Sequence, residues 1–261
     1  MKRCTTTLFS LLFILAVTSS AFGQITDVTI RDINAIDADS VAALNALGAN
    51  LTAGDIPSKI FNDLVSDSVR FTAVVMSDPA NSGLSTPDEN GEPSRVHYFV
   101  RDTSAVAQGN DGMGIQIVDG AWRDTGSLNL LPGDVVEMVG TVGPFGTTMQ
   151  IAPITINNLG NYEGLGLPAS LLDAVSITTS DANMDMGNGT VQVNWNNLAA
   201  LRGQYVSMSG VSVVQRDISS SRPDWLVSSD NAATVMNNYD TSLRVRNDRS
   251  DYSTTLFNPR T

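Results

Sequence analysis

Apolar and polar positions alternate with a period of two through the middle of the chain, the spacing of side chains on half-buried strands. In Val69-Arg-Phe-Thr-Ala-Val-Val-Met76, the residues Val69, Phe71, Ala73 and Val75 share one face, and the opposite face is mixed. Arg95-Val-His-Tyr-Phe-Val-Arg101 sets Val96, Tyr98 and Val100 against His97 and Phe99. Three further strands are predicted at 114–119, 131–142 and 149–156. Leu131-Pro-Gly-Asp134 supplies the turn into the fourth strand, and Gly143-Pro-Phe-Gly146 joins fourth to fifth. A polar stretch rich in Pro, Gly, Asn and Asp, residues 77–94, reads as a long loop between the first two strands. Five strands of this size predict a mainly β fold, a five-stranded Greek-key barrel over 69–158, whose closure leaves no exposed edge.

The flanks read differently. Residues 24–68 form a lead-in with a short helix, where Asp39-Ser-Val-Ala-Ala-Leu-Asn-Ala-Leu-Gly48 offers an N-cap, a helical run and a glycine stop. Residues 56–65 are expected to add a second helical turn. Beyond the barrel, 159–200 is a loop-rich linker, and 201–261 reads as a partial second barrel-like repeat. Leu201-Arg-Gly-Gln-Tyr-Val-Ser-Met-Ser-Gly-Val-Ser-Val-Val214 resembles another first strand, and Leu243-Arg-Val-Arg-Asn-Asp248 can be laid against Ile115-Gln-Ile-Val-Asp119. Only 13 residues follow Asp248, too few for two more strands. The expectation is therefore a truncated repeat in a fragment of a longer protein.

Residues 1–23 have the form of an export signal: Lys2 and Arg3, an apolar run from Leu8 to Val17, and Ala21-Phe-Gly23 at the end. Cleavage is expected before Gln24, giving a secreted protein. No later segment approaches the roughly 20 apolar residues of a membrane span. Cys4 is the single cysteine and lies within the signal, which excludes disulfides, thiol catalysis and thiolate metal sites from the mature chain. Loss of the signal leaves 13 basic residues against 27 acidic ones, and the formal charge moves from −12 to −14. Lys59 is the one lysine outside the signal. Such a surface weighs against nonspecific nucleic-acid binding, which depends on cations at phosphates.

The order of an apolar strand ending in Asp (114–119), then Leu131-Pro-Gly-Asp134, then a strand closing with Gly140, resembles the oligonucleotide/oligosaccharide-binding (OB) fold modules of secreted bacterial proteins. The resemblance spans about Val69 to Asn158. It implies an OB-like barrel of the kind that accompanies extracellular nucleases and phosphoesterases, or that occurs in multidomain cargo of the type IX export pathway. By this resemblance the chain is expected to be a noncatalytic binding or spacer module of a larger exported protein, with other domains of that parent as partners. The alternative is an accessory N-terminal region of a secreted nuclease or phosphoesterase whose catalytic domain lies beyond Thr261.

The chemistry available to the chain is sparse. His97 is the only histidine, and one strand-borne imidazole cannot build a metallophosphoesterase centre. No Gly-x-Ser-x-Gly elbow is present. No catalytic residue and no organic cofactor are assigned. Asp181-Ala-Asn-Met-Asp-Met-Gly-Asn-Gly189 places oxygens at alternate positions, making Asp181, Asn183 and Asp185 candidate calcium ligands. Met186 and Gln192 stand where a calcium loop of the EF-hand type needs Gly and Glu. Asp78, Asp88, Glu89 and Glu92 form a second acidic loop of the same weight.

OB barrels bind ligands on the face of strands two and three, where aromatic and basic side chains stack and clamp. Here that face offers Arg95, His97, Phe99, Arg101 and Gln116 as candidate ligand-binding residues for single-stranded nucleic acid or a glycan. Two arrangements stay open: these side chains point outward, or Phe99 is core and Val96, Tyr98 and Val100 face water. Trp122, Trp195 and Trp225, expected in loops or at strand edges, are further candidates for sugar platforms or for pins that hold loops to the barrel.

Overall fold

The computed structural model describes residues 25–47, 63–81, 83–87, 93–145, 148–185, 191–217, 224–229 and 243–246. The export signal, most of the second helical turn expected at 56–65, and Asp88, Glu89 and Glu92 lie outside the described residues.

All five expected barrel strands form. They are β2 (Ser68–Val75), β4 (Pro93–Asp102), β5 (Gly114–Asp119), β6 (Asp134–Phe145) and β7 (Thr148–Asn161). Around the barrel the order is β2-β6-β7-β5-β4, and β4 returns to β2 through Ala73↔Asp102, Val74↔Arg101 and Val75↔Val100. Every pairing is antiparallel except β5 with β7, which is parallel through Gln116↔Gln150 and Ile117↔Ile151. This is a closed OB-type Greek-key barrel. β6 and β7 form its longest ribbon, and bulges at Val135/Val136 and Val139/Gly140 bend it. At the second bulge a Cβ on Gly140 would collide with Ile151 and the Ala152 carbonyl, which is why the strand carries glycine there.

The alternation read from the sequence sorts the faces. Val69, Phe71, Ala73 and Val75 of β2 meet Tyr98, Val100, Ile115, Ile117, Val136, Met138, Met149 and Ile151 in one buried core. One end of the barrel is plugged by α1 (Ile30–Asn34), whose Ile30 and Ile33 are fully buried in that core. The helix starts in a capping box in which Thr29 and Asp32 exchange hydrogen bonds. Its first amide, Ile30 N–H, donates to Asp102 Oδ2 at 2.8 Å. Between β4 and β5 lies the one-turn α3 (Ala105–Gln108), and between β5 and β6 the chain makes only α4 (Trp122–Thr125) and one 3₁₀ turn, tied down by a buried polar network. Asp119 accepts hydrogen bonds from Ala121 N–H at 2.7 Å, Ser127 Oγ at 2.5 Å and Thr125 Oγ1, and Ser127 also meets the Tyr98 hydroxyl at 3.1 Å.

Several features depart from the sequence expectation. The helix predicted from Asp39 is α2 (Ala38–Leu47), and its cap is Asp37, whose carboxylate accepts from Ser40 N–H and Ser40 Oγ. Within the expected polar loop, β3 (Gly83–Pro87) pairs with β4 and lengthens the sheet. The lead-in also contributes β1 (Ile25–Asp27), which runs parallel to β2.

After the barrel come β8 (Val175–Ser176), α5 (Thr179–Ala182), the hairpin β9 (Asn183–Asp185) with β10 (Val191–Val193), α6 (Trp195–Leu201) and β11 (Val206–Ser207). An antiparallel sheet of β12 (Ser212–Asp217), β13 (Asp224–Ser228) and β14 (Leu243–Arg246) follows. The stretch 201–214 expected as one strand is thus divided between the end of α6, β11 and the start of β12. Asp248 lies outside the described residues.

Candidate ligand-binding face of the barrel

The register decides between the two arrangements of β4. Tyr98 and Val100 are fully buried and Val96 nearly so, so Arg95, His97, Phe99 and Arg101 project to the outside of the barrel. Antiparallel pairing brings Phe99 opposite Gln116, His97 opposite Val118 and Arg101 opposite Gly114. The parallel pairing of β5 with β7 extends the central row to Gln150. An aromatic ring and two amides, Phe99, Gln116 and Gln150, therefore lie in one row across three strands, all half-buried. Gln150 was not among the sequence candidates, because the signal for it is the β5–β7 register rather than any local pattern. The His97 and Phe99 rings meet edge to face, with centroids 6.4 Å apart and planes at 84°. Arg95 is exposed at the outer end of β4.

Arg101 shares the outward face but is not open to solvent. It is 1% exposed, beneath the 3₁₀ turn Ala169–Leu172 and the residue after it. Its Nη1 donates to the carbonyls of Leu171 and Asp173, each at 2.7 Å. Burial lowers the basicity of the guanidinium, and the nearby Asp173 carboxylate opposes that shift. The reading of Arg101 as an exposed clamp beside Arg95 is corrected accordingly, since the linker covers it.

A second part of the C-terminal segment crosses the barrel next to this point. Gly112 N–H donates to the Ala200 carbonyl, Asn34 Nδ2 donates to the carbonyls of Gly112 and Gly114, and Arg202 Nη2 donates to the Asn34 carbonyl. Arg202 is 3% exposed, and burial pushes its guanidinium down to about 10. A cleft of about 260 Å³ opens beside this junction, lined by Arg31, Asn34, Ile36, Asp111 and Ala200. The Arg31 guanidinium is already committed there to the carbonyls of Gln108, Gly109 and Asp111.

The other sequence candidates are dispersed. Asp181 closes the capping box of α5, where its Oδ2 accepts from Thr178 N–H at 2.6 Å and Thr178 Oγ1 at 2.9 Å. These bonds hold its carboxyl below the usual carboxylate range. Asn183 Nδ2 donates to the Thr179 carbonyl, and Asp185 pairs with Val191 at the end of β9. Residues 186–190 lie outside the described residues. Among the described residues no three His, Cys, Asp or Glu side chains gather as a metal site. Asp78 Oδ1 accepts from Ala80 N–H. Trp195 is buried against Leu44, Trp122 is buried with the Arg123 guanidinium 4.0 Å from its ring centroid, and Trp225 lies in β13. No helix among the described residues is long and apolar enough to cross a membrane.

No protein-family model and no curated protein matches the chain. Among solved structures, a replication protein A heterotrimer bound to ssDNA is similar at 16% identity, over 55% of this chain and 88% of that one, with a TM-score of 0.31. The Stn1-Ten1 complex of S. pombe is similar at 13% identity over 37% and 61%, with a TM-score of 0.26. The second OB-fold domain of replication protein A from Methanococcus maripaludis is similar at 15% identity over 37% and 85%, with a TM-score of 0.25.

Proposed function

We propose that this chain is an exported, noncatalytic binding module that holds a glycan across the outward face of β4, β5 and β7. The row Phe99, Gln116 and Gln150 carries this reading. A sugar ring presents an apolar face suited to stacking on Phe99 and a rim of hydroxyls that two amides can bind as donors and acceptors. Arg95, two outward positions from Phe99 along β4, adds one cation to the same face. Even with Arg101 counted, that supply of positive charge is small for single-stranded nucleic acid, whose affinity rests on several cation–phosphate contacts. The formal charge, −14 once the signal is removed, opposes a polyanion further. Export rests on the signal at residues 1–23. A place in a larger exported protein, beside a catalytic domain or as a spacer, belongs to the same proposal.

The test is a titration of a neutral oligosaccharide panel and of labelled single-stranded DNA at low and physiological salt, with wild type, Phe99→Ala and Gln116→Ala. Salt-insensitive saccharide binding that both substitutions weaken supports the reading. Salt-sensitive DNA binding abolished by Arg95→Ala, with no saccharide bound, overturns it in favour of a nucleic-acid module.

A further inference from the structure

We infer that residues 169–173 form a strap that occupies the Arg101 end of the binding face in place of ligand and lifts independently of global unfolding to complete that face. The role of the strap as a competitor rests on the glycan reading above, whereas its lifting does not.

Arg95, His97, Phe99 and Arg101 are successive outward residues of one strand, so a ligand lying along β4 meets all four in turn. The first is exposed and the next two are half-buried, and only Arg101 is covered. What covers it is main chain: two carbonyl oxygens, from Leu171 and Asp173, converge on Nη1. Oxygen acceptors on an outward guanidinium are what a saccharide or a carboxylate would supply, so the strap imitates a ligand at this position.

The imitation is incomplete. Arg101 carries five N–H donors, and its Nε and Nη2 find no hydrogen-bond partner among the described residues although both atoms are buried. Three donors are therefore desolvated without return, a cost paid by the strapped state and relieved when the strap lifts or an oxygen-rich ligand enters. Burial lowers the guanidinium's basicity in the same sense.

On the other side one buried side chain anchors the strap. Leu171 is its single fully seated side chain, packed with Val74, Ala105, Met113 and Val135, while Leu167 and Leu172 are partly buried around it. The strap itself is one 3₁₀ turn following Pro168, and segments with few buried apolar contacts open at low free energy.

The experiment is phenylglyoxal modification of Arg101 under native conditions, followed by peptide mass spectrometry, in wild type and Leu171→Ala across low urea concentrations. Amide exchange at Ile115 and Ile117 is followed in parallel to report on the barrel. A lifting strap exposes little surface, so wild-type Arg101 reacts at a rate nearly independent of urea while the barrel amides stay protected. Leu171→Ala raises that rate by about tenfold or more, equivalent to about 1.4 kcal/mol. Modification that follows urea with the slope of global unfolding in wild type overturns the inference and makes the strap a fixed part of the fold, whether or not Leu171→Ala folds. Tighter saccharide binding by Leu171→Ala supports competition, and unchanged affinity removes it. A strap that lifts in a protein that binds no saccharide leaves the lifting established and overturns the glycan reading alone.

Discussion

Gly114 of β5 and Gly203 beyond α6 cross backbone to backbone: a Cβ on either would overlap the other's carbonyl group. Gly203 also has a φ of +68°, a conformation that suits glycine. The contact seats the C-terminal segment on the barrel beside Arg101, whose strand partner is Gly114. Gly114→Ala is expected to cost about 1–3 kcal/mol through overpacking. Gly203→Ala is expected to cost about 1 kcal/mol more for its backbone conformation. Urea denaturation checks both. A Gly114→Ala variant as stable as wild type would show that the two segments part without penalty.

Asp119 is the acidic residue at which the third barrel strand ends, and its role is structural. Its carboxylate gathers an amide and two hydroxyls in a fully buried site, and one of those hydroxyls, that of Ser127, also meets Tyr98. Asp119→Ala leaves these donors without an acceptor, and each buried orphan costs about 1–3 kcal/mol. The expected result is loss of about 3 kcal/mol or more in chemical denaturation. Tyr98→Phe, which removes only the end of the chain of hydroxyls, should cost about 1 kcal/mol.

The barrel was legible because strands with one buried face must alternate, and each β2 position expected inside is inside. The strand β3 was not, since Gly83-Leu-Ser-Thr-Pro87 has no alternation and sits among turn-forming residues. Helix α1 is only five residues long. Its signal was there nonetheless, in Thr29 and Asp32 at capping-box spacing around Ile30 and Ile33. The sequence left both orientations of β4 open, and burial of Tyr98 and Val100 selected one. Alternation could not reveal that Arg101 is covered, because the covering carbonyl of Leu171 lies 70 residues downstream.

Asp181 gives a pH signature. Its carboxyl lies below the ordinary aspartate value of 3.8 because Thr178 N–H and the Thr178 hydroxyl donate to it. The folded state therefore binds fewer protons than the unfolded state near that pH. The stabilisation is present above about 3.8 and is lost as pH falls through the lower folded value. Wild type should melt higher than Asp181→Asn at neutral pH, and the gap should close below that range. A gap that persists unchanged into strong acid would assign the effect to something other than ionisation.

The same cap bears on calcium. A cation at Asp181 must compete with two hydrogen bonds that already use Oδ2, and Asn183 directs its amide to the Thr179 carbonyl. The expected melting temperature is the same in chelator and in millimolar calcium. A rise with calcium, scaling as the logarithm of its concentration, would restore the loop as a site.

Phe99 and Gln116 separate binding from stability. Both are half-buried on the outer wall, and neither belongs to the buried core that Tyr98, Val100, Ile115 and Ile117 build from the same two strands. Truncation should therefore cost little in stability, about 1 kcal/mol or less for Gln116→Ala and somewhat more for Phe99→Ala, which also loses the edge-to-face contact with His97. Binding should respond in the opposite proportion. Truncating an aromatic anchor at a binding face costs about 1 kcal/mol or more, and about 1.4 kcal/mol is already a tenfold loss of affinity. Calorimetric titration of the saccharide that binds wild type, set beside urea denaturation of each variant, measures both quantities. If Phe99→Ala unfolds the barrel yet leaves saccharide affinity intact in the folded fraction, the ring belongs to the wall and ligand lies elsewhere.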